Sequence, residues 1–370
     1  YVEMKELRIK DICDKGSSNL KQKDVEGQNG SYPVYGASGI ISHISTYHQK
    51  DNYIAIVKDG SGIGRVTFMP AKSSVIGTMQ YILPQKGFNI NYIGYCLMSL
   101  DLTKYKQGAA IPHIYFKDYG ERKVNVTEDI DEQESIVSYL DNSFAKIDQL
   151  KAKAAKAVGE AKALFRSTLK ELMTPKENCV FYFLSDIAED FSRGKSKHRP
   201  RNDKKLFNGN YPFIQTGDVR NADKYVFCHT TTYNDFGLSQ SKLWPKGTIC
   251  ITIAANIAET AILNYPCCFP DSIIGMIPDK TKVNEDFIYY LLLHYKEELK
   301  KMGKGSAQDN INLGTFEKKK FPIPPLSEQV LVVDKLNKIQ DLILRLQQIH
   351  TTILAECDAF KRAILKQVFE

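Results

Sequence analysis

Apolar positions at Ile136, Leu140, Phe144, Ile147, Leu150, Ala154, Val158, Ala161, Phe165, Thr168 and Leu172 form one seam through residues 131–173. Steps of three and four sustained over that many turns predict a single long helix. Proline is absent from the stretch, and Thr174-Pro175 closes it, because proline cannot extend the hydrogen-bond ladder. A second seam runs through Val332, Leu336, Ile339, Ile343, Leu346, His350, Ile353, Cys357, Phe360, Ile364 and Val368. At 1.5 Å per residue, each helix would extend roughly 60 Å. An apolar stripe of that length must be covered, and each helix is the simplest partner for the other. His350 then reads as a polar register residue inside a coiled coil rather than a ligand.

The remaining blocks carry a different pattern. Residues 7–126 hold short runs such as Tyr53-Ile54-Ala55-Ile56-Val57 and Gln80-Tyr81-Ile82-Leu83, broken by Asp59-Gly60-Ser61-Gly62, Pro70 and Pro84. These predict strands of an α+β domain, with a short helix over 91–100. Residues 181–321 echo the block. Asn208-Gly209-Asn210-Tyr211-Pro212-Phe213 answers Asn29-Gly30-Ser31-Tyr32-Pro33-Val34, and Asp271-Ser272-Ile273-Ile274-Gly275 answers Ser73-Ser74-Val75-Ile76-Gly77. The helices repeat too: Glu132-Gln133 recurs as Glu328-Gln329, and Arg166, Leu169 and Lys170 recur as Arg362, Leu365 and Lys366, all at an offset of 196. The order is therefore globe, rod, globe, rod. Two similar halves suggest a bivalent binder rather than a one-site catalyst.

Composition adds bounds. The 370 residues are 43% hydrophobic and 25% charged, an ordinary globular balance for two or three domains. No apolar run of about 18 residues exists, so no membrane partner is expected. The N-terminus lacks the apolar stretch of a secretory signal, and position 1 is not Met, so residues preceding Tyr1 are expected. Eight scattered cysteines without C-x-x-C read as free thiols, and the expected location is cytoplasmic. A net charge of +7 suits a polyanion partner, although many cytosolic proteins share it.

Catalytic motifs are missing. Gly303-Lys304-Gly305-Ser306 lacks the upstream glycine and strand of a nucleotide loop, and Gly60-x-Gly62-x-Gly64 has the wrong spacing. No Asn-Pro-Pro-aromatic motif and no H-E-x-x-H occur, and Pro278-Asp279-Lys280 reads as a surface turn.

Candidate DNA-binding residues lie in the loops. Arg193, Lys195, Lys197, Arg199, Arg201, Lys204 and Lys205 crowd one segment opposed only by Asp203, and Gly194 and Pro200 prevent a regular helix. Such a flexible loop either gains phosphate affinity by counterion release or is a solvated loop. The first globe offers Lys58, Arg65 and Lys106 beside Tyr35, with Ser38, Ser61 and Gln107 as base-edge readers. The second offers Gln215, Thr216, Asp218, Arg220 and Asn256. Each of these polar residues could equally cap a turn.

Phe321-Pro322-Ile323-Pro324-Pro325-Leu326-Ser327-Glu328-Gln329, running into a long amphipathic helix, resembles the I-P-x-P-P-L-x-E-Q signature of type I restriction–modification specificity subunits. Gly108-x-Ala110-Ile111-Pro112-His113-Ile114, Gly305-Ser306-Ala307-x-x-Asn310-Ile311 and Lys58-Asp59-Gly60-Ser61-Gly62-Ile63-Gly64-Arg65-Val66 resemble further segments of that family. The resemblance spans nearly the whole chain. It implies an α+β chain with two α/β target-recognition domains (1–129 and 176–325), each reading half of a split sequence in double-stranded DNA. Two helical spacers (130–175 and 326–370) would pair as an antiparallel coiled coil. It also implies docking of two modification (methyltransferase) subunits using S-adenosylmethionine, and of restriction (motor–nuclease) subunits using ATP and Mg. This chain would then hold no cofactor and no metal, and would catalyse nothing.

Two departures matter. Residues 123–131 lack the family's prolines, which predicts a less rigid approach to the first helix. Ala254-Ala255-Asn256-Ile257-Ala258-Glu259-Thr260 replaces the glycine-rich loop in the second globe, which predicts an asymmetric target. The globes would grip major-groove segments about one helical turn apart, with the rods as spacer. The rival reading is a bivalent protein-interaction scaffold without DNA specificity.

Overall fold

Two helices of 44 residues each, Ile130–Met173 and Leu326–Phe369, form where the three–four spacing places them. Their starts use different chemistry. The Asp129 carboxylate accepts from the backbone N–H of Asp131 at 2.9 Å and of Glu132 at 3.3 Å, capping the first helix. The approach that lacks prolines is therefore held by a side-chain cap, where the sequence predicts a looser one. In the second, the Pro325 carbonyl accepts from Glu328 and Gln329 at 2.9 and 3.1 Å.

The computed structural model describes residues 3–108, 111–254, 257–303 and 311–370. It divides into two compact units, Tyr1–Lys156 with Gln348–Glu370, and Ala157–Gln347. Each long helix contributes one part to each unit.

In the first unit an antiparallel sheet runs in the order Cys13–Ser17, Met79–Pro84, Tyr53–Val57, Val66–Met69. The strand Tyr53–Val57 is buried along its whole length. Its period of two sends Ile54 and Ile56 toward the helix Ile90–Ser99, where Tyr92, Ile93, Cys96 and Leu97 pack. Tyr53, Ala55 and Val57 face the other way, against Val75, Met79 and Tyr81. A smaller sheet of Gly39–Ile44, Tyr32–Gly36 and Ser74–Val75 lies beside it in the chain order, and Lys5–Arg8 pairs with Lys123–Val126. The helical parts join this core through Val137, Leu140, Ile147, Cys357, Ile364, Leu365 and Phe369. They run antiparallel: Lys361 pairs with Asp148 at 2.7 Å, and Asp358, earlier in the second helix, pairs with Lys151, later in the first.

The second unit repeats the plan. Its main sheet runs Ala188–Arg193, Ile273–Pro278, Ile249–Thr252, Thr260–Leu263, with Tyr225–Val226 added parallel at the edge. Val180–Tyr182 pairs with Phe321–Ile323, as Lys5–Arg8 pairs with Lys123–Val126. The Asn-Gly-x-Tyr-Pro echo falls on matching strands: Val34 pairs in parallel with Ser74, and Phe213 with Cys268. The helix Glu285–Gly303 is nearly twice as long as its counterpart Ile90–Ser99. Leu169 and Met173 of the first long helix and Val332, Val333 and Leu336 of the second share this unit's core.

The seams are not buried throughout. Leu150 is 49% exposed and Phe360 58% exposed, while Val137, Leu169 and Met173, off the predicted seam, are buried. Straight helices drift relative to a heptad repeat, and these also serve a globe, so the buried face rotates along the length.

Candidate nucleic-acid interface

In the first unit Ser17 is paired with Gln80 and Val57 with Met79, so the segments after Ser17, after Val57 and before Met79 leave one end of the sheet. The loop 58–65 closes on itself: the Val57 N–H donates to the Arg65 carbonyl at 3.0 Å, and Gly64 N–H to the Val57 carbonyl at 2.8 Å. Gly60, Gly62 and Gly64 have φ of +86°, +89° and +78°. The alternating glycines thus serve a left-handed loop path.

Other segments are tied to this loop. Gln107 and His113 exchange backbone hydrogen bonds of 2.8 Å, Ile114 N–H donates to the Lys58 carbonyl at 2.9 Å, and Gly60 N–H to Pro112 at 3.0 Å. His113 Nδ1 lies 2.6 Å from Asp59 Oδ1. Arg65 Nη1 donates to the Ala37 carbonyl at 2.8 Å, bringing in the turn that carries Ser38. The structure therefore gathers Ser38, Lys58, Ser61, Arg65, Lys106 and Gln107 into one patch. All are exposed except Lys58, which is half-buried with its ammonium 3.9 Å from Asp59. Gln107 already donates to Asp118 at 2.8 Å. Tyr35 stands apart, half-buried on Tyr32–Gly36 against the sheet's second cluster.

His113 belongs to a segment that resembles the family, while Tyr115 and Lys117 beside it carry no motif. The His113 and Tyr115 rings stack at 6.3 Å, Lys117 Nζ lies 5.5 Å from the Tyr115 centroid, and Tyr115 is 45% exposed. Their alternate spacing was the available signal.

In the second unit Arg193 pairs with Ile274 and Thr252 with Ile273, so the segments after Arg193 and Thr252 and before Ile273 share one sheet end. The basic segment is not opposed by Asp203 alone, nor is it a loose loop. Arg193 Nε donates to the Asp271 carbonyl at 2.7 Å, Arg201 Nη2 donates to the Asp271 carboxylate at 2.8 Å, and Arg199 Nη2 lies 3.7 Å from it. His198 Nε2 lies 2.8 Å from Asp203 Oδ2, and Lys197 N–H donates to Gln240 at 3.1 Å. The Lys205 backbone N–H and then His198 hold the Asp203 carboxyl below its ordinary value. Lys195, Lys197, Arg199 and Arg201 remain exposed on this braced segment.

Gln215, Thr216, Asp218 and Arg220 sit elsewhere, at the short helix Thr216–Asn221. Asp218 accepts from the Gln215 N–H at 2.7 Å and lines a hollow with Asp286, Asn337 and Gln340. It is engaged in capping, and its surroundings are the helical side of the unit. Asn256 lies outside the described residues, as do Ala109, Ala110, Gly305, Ser306, Ala307 and Asn310. Among the described residues no group of three or more His, Cys, Asp or Glu is placed to hold a metal ion, and no helix is long and apolar enough to cross a membrane. Burial pushes the Cys13 thiol up to about 12 and the Cys268 thiol to about 11.

Two units of one topology, each presenting stiffened loops at one end of an antiparallel sheet, define a duplicated, loop-presenting binding protein. The family described as the type I restriction modification DNA specificity domain matches residues 1–158 and 176–355, and the chain belongs to that family. It is 25% identical over 380 residues to the type I restriction enzyme MjaVIII specificity subunit of Methanocaldococcus jannaschii, covering 90% of this chain and 84% of that one. A 30% identical match over 95 residues to the same organism's MjaX specificity subunit covers 26% of this chain and only 22% of that protein. Among solved structures, one described as the basis of complex assembly and conformational transition of the type I R-M system aligns over 99% of this chain and 98% of its own, with a TM-score of 0.73 and 16% identity. The HsdS subunit from Thermoanaerobacter tengcongensis aligns over 98% and 96%, with a TM-score of 0.58 and 16% identity. At that identity the likeness is one of fold.

Proposed function

We propose that this chain is the sequence-reading subunit of a type I restriction–modification complex and that each unit contacts one half of a two-part, asymmetric target in duplex DNA. The observation that carries the reading is the gathering of exposed cationic and hydrogen-bonding side chains at a sheet end of each unit. In the first these are Ser38, Ser61, Lys106 and Gln107, and in the second Lys195, Lys197, Arg199 and Arg201. Cations at such loops contribute by releasing phosphate counterions, while neutral polar groups distinguish base edges. The two loop sets differ in length and charge, which favours unlike half-sequences.

The chain itself makes and breaks no bond in this reading. Modification subunits supply S-adenosylmethionine and motor–nuclease subunits supply ATP and Mg, and both dock on this chain. The test is a salt titration of the chain, with its modification subunits, against random duplex DNA. A phosphate-dominated interface loses about one log unit of affinity per contact per decade of salt. Absence of duplex affinity at every salt concentration would leave a protein-interaction scaffold as the function.

A further inference from the structure

The side chain that closes the loop 58–65 joins two parts of the first unit. Arg65 offers its carbonyl to Val57 within its own loop and its Nη1 to the Ala37 carbonyl, 2.8 Å away, in the turn between Tyr32–Gly36 and Gly39–Ile44. A Cβ placed on Gly62 would lie 2.7 Å from Arg65 Nη2, so the guanidinium lies against the loop at a position that a side chain would crowd.

The second unit has the same loop closure. Thr252 N–H donates to the Glu259 carbonyl at 2.9 Å and Ala258 N–H to the Thr252 carbonyl at 2.8 Å. Ala258 has φ +60° where Gly64 has φ +78°. Glu259 thus takes the place of Arg65. Its carboxylate accepts from Lys296 Nζ at 2.7 Å, on the helix Glu285–Gly303. Matching positions carry opposite charges, yet each fastens its loop to a neighbouring element. A carboxylate cannot meet a phosphate, whereas a brace needs only a partner, so fastening the loop is what the two positions share.

We propose that Arg65 is a positioning residue: it fixes the 58–65 loop to the Ala37-Ser38 turn, holds Ser38 and Ser61 in one frame, and does not itself neutralise a phosphate. Glu259 and Lys296 form the corresponding brace of the second unit on a different support. The proposal rests on the DNA reading for its functional consequence and on geometry alone for the brace.

The test is Arg65→Ala in the full chain, measured two ways. By hydrogen exchange, the amides of Gly64 and Arg65 and those of the turn at Ser38 and Gly39 should exchange about tenfold faster or more, with the core amides of Ile54, Ala55 and Ile56 unchanged. In selection from a random duplex pool with the modification subunits bound, discrimination in one half-sequence should fall about tenfold, with the other half intact and the salt dependence of affinity unchanged. Unchanged exchange at both loops would overturn the brace. So would a salt slope reduced by about one with discrimination retained, the signature of a lost phosphate contact. If the wild type binds no duplex, the DNA reading fails, and the exchange result alone decides the brace.

Discussion

Gln133 and Gln329 perform the same structural task in the two units. Gln329 Oε1 accepts from the Asn284 N–H at 2.8 Å, and its Nε2 donates to the carbonyls of Lys282 and Pro324 at 3.0 and 2.8 Å. Gln133 Oε1 accepts from the Asn89 N–H at 2.7 Å, and its Nε2 donates to Gly87 and Thr127 at 3.1 and 3.0 Å. Both side chains are fully buried. Asn89 and Asn284 in turn cap the helices that cover each unit's main sheet. The repeated Glu-Gln dipeptide is thus the joint between each long helix and the globe at its start.

Breaking that joint should be costly. Gln329→Ala leaves a donor and two acceptors buried without partners, and should lower unfolding free energy by about 3 kcal/mol. Gln329→Glu keeps the shape but loses both donated bonds, so it should recover little. Chemical denaturation of the two variants checks this; a loss no greater than that of a surface substitution would refute the lock.

Asp271 restrains the basic segment of the second unit. Asp271→Ala should raise affinity for random duplex DNA, since it removes an anion facing Arg199 and Arg201. Lys195→Ala and Lys197→Ala should each reduce the salt slope by about one. Binding measured between 50 and 200 mM salt distinguishes these effects, and weaker binding by the Asp271 variant would count against the assigned role.

Burial holds the His294 imidazole below its ordinary 6.5, with Glu298 acting against burial and Lys170 and Lys319 with it. The folded state therefore binds the proton less readily than the unfolded chain. This contribution to stability is intact above the ordinary histidine range and declines as pH falls through and below it. His294→Gln should flatten the acid decline in melting temperature, and parallel curves for variant and wild type would contradict the assignment.

Cys228 is exposed and Cys179 partly so, while Cys13, Cys96, Cys250, Cys267, Cys268 and Cys357 are buried. A thiol reagent under native conditions should label Cys228 first, and the six buried thiols only on unfolding. Rapid labelling at Cys267 or Cys268 would contradict the packing of the second unit.

Much of the architecture is written locally. Three–four spacing marks both long helices, and the buried run Tyr53–Val57 marks a central strand, because both depend on near neighbours in sequence. Tertiary pairing is less visible. Asp271 meets Arg201 from 70 residues away, and nothing near either announces it. Lys224, which no sequence pattern marks out, is buried, with Asp286 Oδ2 and Asn337 Oδ1 each at 2.9 Å and the Tyr290 ring centroid at 4.8 Å. Leu150 and Phe360 keep the seam spacing yet stay exposed, since spacing does not say which turns of a helix a globe will rotate out of register. In the candidate site, residue types at Lys58, Ser61 and Gln107 were legible, whereas the fastening of their loops by Asp59, Arg65 and His113 depends on the fold.

The central claim is that each unit reads its own part of the target. Its most direct test is to map the bases methylated in DNA by the assembled complex carrying Ser61→Ala with Lys106→Ala, and by the complex carrying Lys195→Ala with Lys197→Ala. The first pair should relax one half of the recognised sequence and leave the other unchanged, and the second pair should do the reverse. Variants that alter both halves together, or neither, would contradict the division of labour between the two units.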